Sequence, residues 1–585
     1  MECFSEETKS LLESSGQLRP ELYRQKAKQR ILDLEHEVAQ RIRLLKDEIW
    51  ALQVSRNDGI PIALLPAEIL SKIFLEVAFL TLANSALPGQ EKVTWIHLTH
   101  VCHQWRIVAL NCPSLWSFIT LTGSITMTRI MLARSKKHSL TVAPPKHLNL
   151  LKPQGRWESL NLALLETNRL RAIELNSDFN GVEPQHLEVA FQGKDLPILE
   201  KIVLTSSGSS HRIPQKFLQS SRTPALKHLE VVGYIILWDP LPSATGLTFL
   251  KLHHSFAIQG ERPSEKLLFK ALDQMPHLQY LDLSRFLPQE SSDHTPSSNS
   301  ARRLQSLELL TLRDAISSIS NFLVSVDNFR ARQVRLYVLD EQRSTEPLSR
   351  CIDALGNTWM DSEPNSTKAR ARQGVGELRM HDLDFAPILK CWFGKRSKRP
   401  ADLTISLIHS GRPTSLRLPP SDILGVIADH LDLSPLISLR VSCCPFLKSV
   451  WKRVFGHLPS LKSVTFMDNY TFSDFIRVLR SRPKGSEAQP YFPALTTVKC
   501  FELNFAVDQE NVVKTLAEAL NARPRTHRVH ELHIEECVNF TKESHDFLRN
   551  SLSTLEVVWD GKEDIEPIGG DSEEEEVSSM ISGYH

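Results

Sequence analysis

PALKHLEV, residues 224–231, places Leu226, Leu229 and Val231 at i, i+3 and i+5 behind a proline. Proline fits neither a helix interior nor a central strand ladder, so it marks an entry point. Leu229 and Val231 then flank Glu230 with the period of two that sends alternate side chains to opposite faces of a strand. The octet reads as a turn followed by a short strand with one apolar face. The same spacing recurs at Leu170/Ile173/Leu175, Leu199/Ile202/Leu204, Leu247/Leu250/Leu252, Leu278/Leu281/Leu283 and Leu307/Leu310/Leu312. It returns at Leu436/Leu439/Val441, Leu461/Val464/Phe466 and Leu495/Val498/Cys500. The first six copies start 21 to 31 residues apart. One such triplet arises by chance in any leucine-rich chain, but nine, many led by Pro or Gly, do not.

A unit of this period with one strand per copy resembles the leucine-rich repeat. The resemblance implies an α/β solenoid over residues 130–560, with parallel strands inside and helices or loops outside. The copies lack the polar Asn/Cys position of the strict consensus, so an irregular array is expected. Residues between the apolar positions line its exposed strand face: Lys201, Val203, Lys227, His228, Glu230, Lys251, Gln279, Tyr280 and Asp282. That face is the expected binding surface for a protein target. Two stretches interrupt the pattern. PQESSDHTPSSNS, from residue 288, opens a loop expected to be disordered to 303; residues 341–400 are irregular and hold an insertion or a junction between two solenoid halves.

Upstream, LLPAEILSKIFLEV (64–77) starts with a Leu-Pro pair, sets Glu68 at the positive end of a helix dipole, and continues with Ile69, Leu70, Ile73, Phe74 and Val77 as a broad apolar stripe. After a polar loop come LTHVCHQWRIVAL and PSLW. Leu65, Pro66, Glu68, Ile69, Ile73, Val101, Cys102, Trp105, Arg106, Leu115 and Trp116 stand where the F-box pattern places them, so residues 61–118 resemble an F-box of three helices. The first interhelical loop is about a dozen residues longer than the family's. The resemblance implies docking on a Skp-type adaptor, and through it on a cullin-RING ligase, by Leu65, Pro66, Glu68, Ile69, Ile73, Leu98, Val101 and Trp105. Elementary packing points the same way: some 50 residues in three short helices bury too small a fraction of their surface to keep so many large apolar side chains to themselves. Leu70, Phe74 and Val77 are expected to pack only within the chain.

Residues 20–56 predict a long helix, with Ile31, Val38, Leu45 and Leu52 seven apart and Ile42 and Ile49 between them. About three heptads leave two readings open, a homodimeric coiled coil or a helix folded onto the next domain. Residues 1–19 are expected to be disordered.

The net charge of +1 hides an acidic end: residues 560–585 hold nine acids and one base, so an acidic disordered tail is expected over 561–585 on a mildly basic body. That surplus, spread over the whole body, argues against nucleic acid. Nine cysteines without a CxxC pair fit neither a disulfide framework nor a metal site, and no apolar run is long enough for a membrane helix. A cytoplasmic or nuclear protein is expected. GKRSKRP (394–400) reads as solvated loop charge or an import signal, and LPPSDILGVIADHL with LISLRVSCCPF (418–446) reads as a repeat helix and strand rather than a second F-box. Cys443 and Cys444 are expected in the core. No catalytic motif or cofactor site is legible. The expected function is therefore non-catalytic: the substrate-recognition subunit of an SCF-type ubiquitin ligase, with a repeat scaffold uncoupled from any ligase as the alternative and a hydrolase hidden in 341–430 as a third.

Overall fold

The computed structural model describes residues 6–83, 94–121, 124–143, 156–176, 194–206, 213, 223–236, 245–254, 262–288, 304–326, 329–339, 344–360, 374–383, 386–394, 399–408, 418–444, 446–481, 489–506 and 511–564. The interrupted loop of 289–303, Lys395, Arg396 and Lys398 of the basic cluster, and the tail from 565 lie outside them. The chain forms two compact units, 1–163 and 164–585.

The first unit opens with α1 (Glu6–Asp58), a helix that begins well before residue 20, so residues 6–19 are helical rather than disordered. A 3₁₀ turn (Pro61–Leu64) leads into α2 (Ala67–Ala83), where the Pro66 carbonyl accepts the first helical bonds from Ile69 and Leu70. The second expected helix is a 3₁₀ segment, Thr94–His100, and the third is α3 (His103–Leu110), capped by Cys102, whose Sγ accepts the Trp105 amide at 3.5 Å. Another 3₁₀ turn, Pro113–Trp116, precedes β1 (Phe118–Thr120), α4 (Ile125–Arg134) and β2 (Leu140–Ala143). The two strands pair in parallel, Phe118 opposite Thr141, and the Arg134 guanidinium lies 4.3 Å from the centre of the Trp116 ring. The helix α5 (Arg156–Leu164) ends at the boundary.

The second unit is α/β, built on an open sheet of β3 (Leu170–Asn176), β4 (Lys201–Thr205), β5 (His228–Val232), β6 (Phe249–His253), β7 (Tyr280–Ser284), β8 (Leu309–Asp314) and β9 (Gln333–Val338), each parallel to the next. The parallel run resumes in β13 (Ser438–Ser442), β14 (Ser463–Phe466), β15 (Thr497–Phe501), β16 (Glu531–Glu535) and β17 (Glu556–Trp559). Between the runs, the expected irregular region forms β10 (Val375–Leu383), β11 (Ala386–Phe393) and β12 (Leu403–Leu407). The order is β9–β12–β11–β10–β13, with β11 antiparallel to both neighbours. A hairpin thus splices two parallel runs without breaking the hydrogen-bonded ladder.

Most strands alternate, whereas β12 is buried at every position. Ile202 and Leu204, Leu250 and Leu252, Leu281 and Leu283, and Val464 and Phe466 are all at most 2% exposed, and the residues between mostly reach the opposite face. The apolar rows meet the helices: Phe466 of β14 lies 4.8 Å from Phe475 of α10 (Asn469–Arg480). Three helices are described on the N-terminal side of the splice, α6 (Glu265–Asp273), α7 (Ile316–Ser325) and α8 (Glu346–Leu355). Beyond it come α9 (Pro420–His430), α11 (Val512–Asn521) and α12 (Lys542–Ser551). The 418–446 stretch is thus helix α9 followed by strand β13, as its repeat reading requires.

Several strands end in a left-handed residue that turns the chain out of the sheet: Gly233 (φ 79°), Arg285, Cys443, Glu502 and Glu536. A Cβ on Gly233 would stand 1.9 Å from the Ser206 carbonyl, so that turn admits only glycine. Cys443 is accordingly exposed, its amide donating to Asp468 at 2.8 Å, and only Cys444 belongs to the core. The polar position judged missing is filled past the splice. Cys444, Asn469 and Cys537 each stand three residues beyond the strand's last apolar residue, and Asn469, Asn504 and Asn539 are joined by side-chain hydrogen bonds. Gly561–Asp564, expected in the tail, remain attached through the Asn539 amide on the Asp564 carbonyl at 2.7 Å.

An aromatic cluster surrounds Trp451, fully buried with ring centres of Phe446, Phe455, Phe475 and Phe492 between 5.3 and 6.1 Å away. Trp451→Ala is expected to cost about 3–5 kcal/mol of the second unit's stability in urea unfolding, and Trp451→Phe distinctly less. Equal losses would mean that the site collapses freely around either substitution.

Candidate functional site

Two surfaces merit attention, one in each unit. In the first unit, Leu70 and Phe74 are fully buried, Phe74 against Trp105 with ring centres 5.0 Å apart. Trp95 meets Trp116 edge-on at 5.0 Å, and the Trp116 indole N–H donates to the Ala109 carbonyl at 2.7 Å. Gln104 donates to the Ala63 carbonyl at 2.9 Å and ties the 3₁₀ turn to α3. These contacts leave a set of apolar side chains outside: Leu64 is 78% exposed, Val101 59%, Ile69 41% and Ile73 37%. Pro66 and Glu68 are exposed, and Leu65, Leu98 and Trp105 are half-buried. The division of α2 expected from sequence holds for Leu70 and Phe74, whereas Val77 is half-buried. Leu64, more exposed than Leu65, is the residue that sequence reasoning passed over. Apolar groups left in water at this density mark an interaction surface.

In the second unit, the residues facing away from the helices form cross-strand ladders. His228, Phe249 and Tyr280 are register partners on β5, β6 and β7, and their rings stack at 3.9 and 4.1 Å. Beside them Lys201 bonds Glu174 at 2.6 Å and Lys251 bonds Glu230 at 2.8 Å. His228, 3.9 Å away, and Lys251 hold the Glu230 carboxyl down to about 2. Val203 is half-buried between these pairs, while Lys227 and Gln279 precede their strands and are exposed at the turns. Asp282, expected on the exposed face, is 2% exposed instead. His253 (2.8 Å), the Tyr280 hydroxyl (3.4 Å) and Arg313 (3.9 Å) close over it, because a carboxylate drawn into this depth needs that many partners.

The sequence triplets missed the strands around the splice, and with them a basic sector. Arg335, Thr404, Lys390, Arg379 and Arg440 are successive register partners from β9 to β13. Glu377 pairs with Arg379 at 2.8 Å, and the Arg379 guanidinium lies 4.8 Å from the centre of the Trp392 ring. Burial first, then Arg379 and Arg335, lowers the Lys390 ammonium below its ordinary range. Burial with Lys390, Arg440 and Arg379 pushes His381 down to about 4.

Ser349, His430 and Asp353 form a third constellation, with Ser349 Oγ 2.6 Å from Nε2 and Asp353 2.7 Å from Nδ1. The spacing is that of a nucleophile, base and orienting acid. Asp353 is exposed, however, and the Ser349 amide is spent on the Thr345 carbonyl at 2.9 Å, so this serine has no backbone donor of its own for an oxyanion. The three side chains fasten α8 to α9. Buried Cys351, Cys391 and Cys500 have thiols raised by burial and are core residues. Among the described residues no group of three metal-ligating side chains converges, and no helix is long and apolar enough to cross a membrane.

In comparisons with known proteins, no family model matches the chain and no curated protein matches it.

Burial and Arg262 push His254, stacked on Phe286, down to about 4, so it joins His381 in being neutral at pH 7. Between pH 6.5 and 4 the unfolded chain binds protons that these two sites refuse, so stability rises with pH across that window and falls on acidification. Urea midpoints at pH 4.5, 5.5 and 6.5 should increase in that order. The double variant His254→Phe, His381→Gln should flatten the trend, and an unchanged slope would refute the assignment.

Proposed function

We propose that this chain is the substrate-recognition subunit of an SCF-type ubiquitin ligase, in which residues 61–118 act as the F-box and the second unit as an irregular leucine-rich-repeat solenoid. The observation that carries the reading is the split of α2: Leu70 and Phe74 close the unit's own core while Ile69 and Ile73, like Val101 and Leu64, stay in water. A partner that covers those side chains recovers roughly 25 cal/mol for each Å² of apolar surface removed from water. A Skp-type adaptor is the partner that the LPxE and VCxxWR pattern implies. The second unit then holds the target on its open strand face, and transfer by the RING partner's conjugating enzyme gains from high local concentration rather than from chemistry by this chain. A repeat scaffold without ligase coupling would have no need of the exposed set on α2 and its flanking turns. No cofactor takes part, and the protein works in the cytoplasm or nucleus.

A second copy of the chain is the proposed partner of α1. Ile42, Leu45, Ile49 and Leu52 are 43 to 66% exposed, and Ile alternating with Leu at successive core positions is the pattern of a two-stranded coiled coil. The double variant Leu45→Glu, Leu52→Glu is expected to halve the sedimentation mass of a dimer; a wild-type monomer contradicts this pairing.

For the adaptor, the single variants Leu64→Asp and Val101→Asp are expected to lower recovery of the purified Skp-type adaptor at least tenfold, with circular dichroism unchanged. Both sites are exposed, so neither substitution empties a core position. Equal recovery by wild type and both variants would overturn the ligase reading.

A further inference from the structure

The basic sector of the second unit is made by strand register. Lys390 lies opposite Arg379 on β10 and Thr404 on β12; Arg379 lies opposite Arg440 on β13, and Thr404 opposite Arg335 on β9. Leu389, Cys391, Leu378 and Met380, the neighbours that alternate with Lys390 and Arg379, are buried at 2% or less, so these two cations face away from the core. With neighbouring strands about 4.8 Å apart, the row from Arg335 to Arg440 spans four intervals, about 19 Å. Lys499, opposite Thr465 on the strand beyond Arg440's, continues it.

Like charges in adjacent register positions repel, and more strongly where they are half-buried. The rest of this face neutralises itself locally, through Lys201 with Glu174, Lys251 with Glu230, and His253 with Asp282. On the basic strands Glu377 pairs with Arg379 inside the row, whereas Asp402 is spent outside it on Arg399 and the Phe393 amide. Among the described residues no carboxylate lies within ion-pair distance of Lys390. The fold thus maintains a concentrated positive row that the chain's near-neutral total charge does not require.

We propose that the row Arg335–Lys390–Arg379–Arg440 binds an extended acidic segment of a partner protein. This rests on the open strand face being the target surface, and it names the class of target. A peptide of about six residues at about 3.3 Å each covers the 19 Å row, and carboxylates along it meet cations on successive strands with charge-assisted bonds. Half-buried donors fixed by the sheet require little ordering on binding. A short peptide fits better than nucleic acid, because the cations form a single short row that gives way, beyond β8, to strands whose charges are already paired. Buried Trp392 backs the Arg379 guanidinium and helps to hold it in place.

Fluorescence anisotropy on the full chain, with a fluorescein-labelled twelve-residue peptide of alternating Glu and Ser, tests this directly. Saturable binding is expected, at least tenfold weaker for Lys390→Glu and for Arg440→Glu, and weakening with added salt. Lys201→Glu, in the self-neutralised sector, should leave it unchanged. Equal loss in all three variants, or binding indifferent to Lys390, would overturn the proposal, as would tighter binding of a single-stranded oligonucleotide of equal length. Peptide binding that emerges only after Glu573–Glu576 are changed to Gln would replace the partner segment by the chain's own tail, and so would also overturn it. Absent peptide binding with normal adaptor recovery defeats this inference alone, whereas lost adaptor recovery with normal peptide binding defeats the ligase reading alone.

Discussion

The second unit depends on one constraint, the burial of an aliphatic pair on each strand in register with the pair on the next. Ile202/Leu204, Leu229/Val231, Leu250/Leu252, Leu281/Leu283 and Leu310/Leu312 stack as two continuous rows with their backbones hydrogen-bonded alongside. A slip of one residue on any strand would turn its leucines to water and its charges into the core, so the rows fix register throughout. Everything on the open face follows from that. His228, Phe249 and Tyr280 stack because Leu229, Leu250 and Leu281 are aligned beneath them, and Lys390 meets Arg379 because Leu389 meets Met380.

The splice shows how far the constraint reaches. β11 runs against its neighbours yet keeps Leu389 and Cys391 on the core side, so the ladder and the apolar rows pass through a reversal of chain direction unbroken. Gly376 allows the close approach on which the hairpin depends, since a Cβ there would stand 2.0 Å from the Gly394 carbonyl. The reversal also concentrates cations, because the hairpin sets Lys390 beside Arg379 and the pairing of β10 with β13 brings in Arg440 from 61 residues further on.

The parallel strands were legible where leucine, a leading Pro or Gly and alternation coincided. QVRLYV of β9 and ELHIE of β16 carry the same alternation without that lead, and the hairpin strands obey no repeat period at all, so they escaped notice. With them went the basic row, which joins the hairpin pairs Arg379/Lys390 and Lys390/Thr404 to Arg440 and Arg335 through the long-range pairings of β10 with β13 and of β12 with β9. Asp282 illustrates the opposite limit: its strand position was read correctly, but its burial is decided by His253 and Arg313 on other strands. On α2, periodicity sorted Leu70 and Phe74 from Ile69 and Ile73, whereas the exposure of Leu64 depends on the 3₁₀ turn that Gln104 fastens.

The account's central claim is that a half-finished apolar surface on α2 and its flanking turns is completed by a Skp-type adaptor while the strand face stays open for a target. Hydrogen–deuterium exchange of the chain with and without purified adaptor tests both halves at once. The account predicts new protection confined to residues 60–80 and 98–107, with β4 to β16 unchanged. Protection spread over the strand face, or none near α2, would contradict it.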